Sequence, residues 1–268
     1  MCEDSVIGYR ILMIDKTIEI RRVTPVRGLE WLASAFSMFG QNVGTWIAMG
    51  LVFMIITAFI SIVPVVSLLA PLLTTPLLGG LMIAACRQRR GGQARFEQMF
   101  SGFSIAGSRL VILGSLYLIG SFLITLIVVL PTLAASNIEL LDRGLVPQLS
   151  EDEVITVLWI LMLVLVALAP LLMAFFFAPA LVAVARVEPL TAMRMSFIGC
   201  YRNMTPFLLY GAIAFLMMIV AALPLMLGYL ILTPVLLCSM YLAFEDVFVP
   251  LSEPDETDSG QAITPKEE

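Results

Sequence analysis

The residues best placed to do chemistry are the arginines of the segment RQRRGGQAR: Arg87, Arg89, Arg90 and Arg95. Counting Arg109 and subtracting Glu97, this stretch carries a net charge of +4. At an anionic membrane surface each basic side chain contributes about 1 kcal/mol of attraction. The chemistry they suggest is contact with lipid headgroups, and the same arginines serve equally as determinants of membrane topology. Next come Pro76, Gly79 and Gly80, in TTPLLGG. A proline with two glycines weakens a helix in mid-membrane, and a broken helix exposes backbone groups that bind ions or small solutes. The other reading is a close helix crossing that the glycines permit. Glu245 and Asp246, in YLAFEDVF, offer either a site meeting the basic loop or a solvated helix end.

Catalysis has little to draw on. The chain has no histidine, which removes the commonest general base and zinc ligand near neutral pH. Cys2, Cys86, Cys200 and Cys238 stand singly, without a CxxC pair to suggest a redox or metal site. A serine nucleophile would lack its usual partner, and no paired carboxylates lie in an apolar run. The expectation is a non-enzymatic protein without metal, cofactor or nucleic-acid partner.

The elements that position these residues follow from composition. Of 268 residues, 60% are hydrophobic and 13% charged, and the mean hydropathy is +1.01. That is too apolar for a water-soluble domain. The apolar residues come in long uncharged runs rather than alternating ten-residue segments, so the membrane elements are helices, not barrel strands. A helix needs about 20 residues to cross the hydrocarbon. The runs Trp31–Cys86, Leu110–Ile138, Val154–Ala185 and Asn203–Phe244 then hold two, one, one and two spans. The predicted spans are 44–66, 67–86, 109–131, 153–175, 204–224 and 226–247, with a kinked extension of the fourth at Pro170 or Pro179. Around this membrane domain, 28–249, lie an N-terminal arm, 1–27, and a proline-containing acidic tail, 250–268, expected to be disordered. Within the arm, Thr17–Val23 alternates enough to suggest a short strand. The first 30 residues carry charges throughout and show no cleavable leader.

With the N-terminus inside, fourteen of the fifteen basic residues fall on the cytoplasmic side and only Arg143 outside. Six spans with both termini cytoplasmic satisfy the rule. The outer surface is then small, an acidic loop of about Thr132–Glu153 and two hairpin turns without a charge.

Three segments precede hairpins and read as helices lying flat in the interface: GLEWLASAFSMFGQN, FEQMFSGF and EPLTAMRMSFIGCYRN. The first and third overlay at one offset, with Leu29 on Leu190, Phe36 on Phe197, Asn42 on Asn203 and Gly50 on Gly211. Either the chain is three units of interfacial helix plus hairpin, or interface sequence is inherently repetitive.

The segments VTPVRGLEWLASAFSMFGQNVGTW, PLLTTPLLGGLM, MRMSFIGCYRN and YLAFEDVF, spread over Val23 to Val249, resemble a group of uncharacterised six-span proteobacterial inner-membrane proteins. The group is distantly like the membrane domains fused to some glycerophosphodiester phosphodiesterases. The resemblance implies an all-α polytopic protein of the bacterial inner (cytoplasmic) membrane and carries no catalytic residue over. It also makes Met13 an alternative start to Met1. Two functions fit. One is a scaffold or accessory subunit, with anionic membrane lipids and a membrane protein as partners. The other is a transporter or channel for a neutral or apolar solute or lipid.

Overall fold

A computed structural model describes residues 18–62, 64–136 and 151–250. The acidic tail from 251, most of the outer loop, Arg143 and both candidate starts lie outside these residues. The order is β1 (Ile18–Ile20), α1 (Arg27–Gly40), α2 (Val43–Ile62), α3 (Pro64–Leu68), α4 (Ala70–Arg89) and α5 (Gln98–Ser136). Then follow α6 (Glu151–Phe176), α7 (Ala178–Ala183), α8 (Pro189–Arg202), α9 (Met204–Ala222), α10 (Tyr229–Val247) and β2 (Phe248–Pro250). Among the described residues, six helices are long and apolar enough to cross a membrane: α2, α4, α5, α6 continued into α7, α9 and α10. The chain is an all-α polytopic membrane protein.

Burial sorts the helices into two layers. Half of α4, most of α10 and all of α7 are buried, whereas α2, α5 and α9 show long apolar faces outward. Small residues let the inner layer close. Ala84 and Ala85 of α4, Ala178, Ala180 and Ala183 of α7 and Ala243 of α10 belong to one core with Leu81, Leu181 and Leu242. In a membrane such packing, rather than water release, is what holds helices together.

Of the two readings of Pro76, Gly79 and Gly80, the structure shows the close crossing and not the break. Helix α4 runs unbroken from Ala70 through Pro76, Gly79 and Gly80 to Arg89. These residues face α5 instead. A side chain at Gly80 would strike the Met99 carbonyl, one at Gly102 the Pro76 carbonyl, and one at Gly79 the Leu110 side chain 2.6 Å away. The backbones of α4 and α5 are thus nearly in contact, the close crossing that the glycines permit. The break falls elsewhere. Pro170 sits inside continuous α6, and the helix is interrupted at Phe177, two residues before Pro179. There the Ser196 hydroxyl of α8 inserts: Phe177 N–H donates to Ser196 Oγ at 2.9 Å, and Ser196 donates to the Met173 carbonyl at 2.7 Å. A side chain has replaced one rung of the helix ladder. Helix α5 also bends, at Ala106, whose φ of −141° is not helical.

The three short segments are not merely interfacial. Helix α1 buries Trp31, Leu32, Ala35, Met38 and Phe39, and α8 buries Ala192, Ser196, Gly199 and Cys200. The first turns of α5, before its bend, are the third. The strand in the N-terminal arm is β1, paired antiparallel with β2 in the register Ile18↔Pro250, Glu19↔Val249 and Ile20↔Phe248.

Candidate functional site at the charged end of the bundle

The charged side chains gather where α1, α4, α5, α8 and α10 meet. Arg27, at the start of α1, reaches Asp246 Oδ1 and Glu30 Oε2, each at 2.6 Å. Trp31 Nε1, on the next turn, donates to Asp246 Oδ2 at 2.6 Å. The Asp246 hydrogen bond, then that of Glu30, holds the Arg27 guanidinium above its ordinary range. Asp246 is therefore an anchor between the last helix and the first, not a solvated helix end. Its neighbour Glu245 pairs with Arg89 Nε at 2.9 Å, so the acidic pair does meet the basic loop.

Of the four arginines expected at lipid headgroups, Arg89 is thus committed to Glu245 and Arg90 is engaged in a contact within the protein. Arg87 is half-buried and its carbonyl accepts the Gly92 N–H at 3.1 Å. Arg95 is exposed, with its backbone N–H tied to Gln98 Oε1 at 2.9 Å.

The polar residues of the site reveal a cyclic order that the charges alone conceal. Asn42, just past α1, donates to the Ala94 carbonyl at 2.9 Å, on the segment entering α5. Arg109, just past the bend in α5, donates to the Arg186 carbonyl at 3.1 Å and pairs with Glu188 at 3.0 Å, on the segment entering α8. Asn203, just past α8, donates to the Arg21 carbonyl at 3.0 Å and accepts the Val23 N–H at 2.8 Å, on the segment entering α1. Each unit holds the chain leading into the next, and the third holds the first.

The sequence overlay has a counterpart in this order. Asn42 and Asn203 share a backbone geometry, each N–H bonding the carbonyl three residues back and each carbonyl accepting from the residue four ahead. Leu29 and Phe36 are exposed on α1 as Leu190 and Phe197 are on α8. The glycine pair departs from it, for Gly50 lies against the Pro234 ring while Gly211 faces open space. A repeated proline was missed. Pro76 stands before Arg89, Pro170 before Ala183 and Pro234 before Val247 at one and the same interval. Aligning the ends of the second helices of the three hairpins would have exposed it.

Around this end the three short segments present apolar side chains outward. Leu29 and Phe36 come from α1, Phe96 from just before α5, Phe100 and Phe103 from its first turns, and Leu190, Phe197 and Tyr201 from α8. Phe197 and Tyr201 stack with centroids 6.1 Å apart and an interplanar angle of 13°. Exposed Arg194 and Arg202 lie among them on α8, and Arg95 beside Phe96. Inside, Gln88 accepts the Trp46 Nε1 proton at 2.7 Å and donates to the Met38 carbonyl at 2.5 Å. Cys200 is buried, and burial pushes its thiol up to about 12 against a lowering bond from Ser196. No group of metal-ligating side chains occurs among the described residues.

The chain is 26% identical over 263 aligned positions to a probable inner membrane protein of Burkholderia thailandensis, covering 86% of this chain and 94% of that protein. No family model and no solved structure matches it.

Proposed function

We propose that this chain is a non-enzymatic protein of the bacterial inner membrane, with both termini in the cytoplasm, acting as a scaffold or accessory subunit. The observation that carries the reading is the collar of exposed aromatic and basic side chains on α1, the start of α5 and α8. Aromatic rings at headgroup depth with arginines beside them fit an anionic membrane surface. The similarity to a probable inner membrane protein supports the location. The preponderance of basic residues at the collar end supports the orientation.

The test is lipid retention by the intact chain in nanodiscs of mixed phosphatidylethanolamine and phosphatidylglycerol, read by native mass spectrometry. Arg95→Gln, Arg194→Gln and Arg202→Gln together are expected to lower the number of retained phosphatidylglycerols at least threefold. An unchanged lipid count in a folded triple variant rules out the electrostatic part. A copurifying protein at fixed stoichiometry supports the accessory role. A second reading, transport of a neutral or apolar solute or lipid, draws on the interrupted helix at Phe177 rather than on Pro76 to Gly80. Flux in vesicles lost in Ser196→Ala supports it, and no flux of any solute tried ends it.

A further inference from the structure

The three hairpins do not all end at one height. A side chain at Gly114 of α5 would strike the Pro71 carbonyl, at the start of α4. The turn of the first hairpin is therefore close to the level of Gly114. From there α5 continues to Leu130, an exposed apolar residue, for about 24 Å at 1.5 Å per residue. Even a tilt of about 40° leaves roughly 18 Å, more than half of a hydrocarbon core of about 30 Å. The third hairpin stops near the first. Thr233 Oγ1 lies 3.6 Å from Met54 Sδ, and from that level α10 has one turn left to Tyr229 and α2 about two turns to Ile62.

Both short hairpins end in turns without a charged residue. Leu68 tops the first, and Leu223, Leu225, Met226 and Leu227 the third, with Leu225 the most exposed large apolar residue described, at 91%. Leu225 and Met226 even adopt positive φ, 50° and 65°, in a turn with no glycine at those positions. By contrast α6 begins with Glu151, Asp152 and Glu153, residues suited to water. Apolar turns level with the middle of a longer apolar hairpin belong in hydrocarbon, not at its surface.

We propose that the first and third hairpins are re-entrant. Their turns end inside the bilayer and are roofed by acyl chains of the far leaflet, while α5 and α6 alone cross it. The molecule then presents an apolar shelf within the membrane, with a single hairpin rising past it, and thins the bilayer over that shelf. Hairpins returning to the side they came from leave the distribution of basic residues unchanged, so charge asymmetry does not distinguish them from full spans. This inference stands apart from the scaffold reading, and its test reads depth rather than lipid class.

The full chain is reconstituted in mixed-orientation vesicles, so that both faces are reached, and labelled with a membrane-impermeant maleimide. Leu68→Cys, Leu225→Cys and Glu151→Cys are compared, with the natural protein as background and detergent-solubilised samples as total. Glu151→Cys is expected to label at least tenfold faster than the other two. Nitroxides at the same positions are expected to place Leu68 and Leu225 below the phosphates by collision with oxygen over a nickel chelate. Val66→Cys and Met226→Cys repeat the measurement should the first pair fold poorly. Comparable labelling of the tips and Glu151, or no labelling of Glu151, overturns the proposal.

Discussion

Asp246 accepts from Trp31 and Arg27 at once, and that double role sets its worth. Removing it leaves the Nε1 proton of a Trp31 that is only 2% exposed without a partner. An unsatisfied buried donor costs about 1–3 kcal/mol. Asp246→Ala is therefore expected to lower the melting temperature in detergent by several degrees, and Asp246→Asn, which keeps an acceptor, by less. Equal losses in the two would show that charge, not the indole bond, is what matters. Cys200 gives a pH prediction. Burial pushes its thiol up to about 12 from an ordinary 9. The neutral form is favoured in the fold, so this contribution is complete below about pH 9 and lost as pH rises towards 12. At pH 8 Cys200 is expected to resist alkylation in the native protein and to react on unfolding, as peptide mass spectrometry would register. Rapid native labelling would refute its burial.

Between helices, glycine has two meanings here. At Gly102 a methyl group meets the Pro76 carbonyl and the Gly80 nitrogen, both backbone atoms that cannot swing aside. Gly102→Ala should force α4 and α5 apart and cost more than 2 kcal/mol, in the range of overpacked cores. At Gly211, in mid-α9, nothing lies within 4 Å, so Gly211→Ala should be neutral or stabilising by up to about 1 kcal/mol. Unfolding of the two variants in denaturing detergent measures the difference, and the reverse order would contradict the close crossing. The interruption of α6 is a matter of the same scale. Ser196→Ala removes the hydroxyl bridging Phe177 and Met173 and is expected to destabilise by about 1–3 kcal/mol. Hydrogen exchange should rise at Phe177 first.

Over the whole molecule, closure rests on the contacts of the third unit with the first. Asn203 is 1% exposed and binds both the Arg21 carbonyl and the Val23 N–H on the segment entering α1. With β1 against β2 and Asp246 against Trp31, it joins the two ends of the described chain. Asn203→Ala is expected to loosen the N-terminal arm and the last helix together, seen as faster proteolysis before Thr24 and faster hydrogen exchange at Val247 and Phe248. Protection lost at one end only would argue against a shared clasp. Asn42→Ala, acting between the first and second units, should leave both ends protected.

Uncharged runs and the count of helical segments were legible because hydropathy is additive along the chain: burial in lipid depends on each residue's own transfer free energy. The repeat was half legible, in Leu29, Phe36 and Asn42 over Leu190, Phe197 and Asn203. What Asn42 and Asn203 grip was not, because the partners at Ala94 and Arg21 lie in other units. The same limit applied to Pro76, Gly79 and Gly80. In sequence these weak helix formers allow either a break or a close crossing; α5 packed against them makes it the crossing, and the interruption lies at Phe177, where Ser196 fills the missing rung. By itself the sequence determined that this chain lives in a membrane and with which apolar helices, and it led to the expectation that fourteen of its fifteen basic residues lie at one end. Only the tertiary structure decided which arginines are committed to carboxylates, how the three units close on one another and how high each hairpin reaches. Those depend on distances between residues far apart in the chain, which no local pattern encodes.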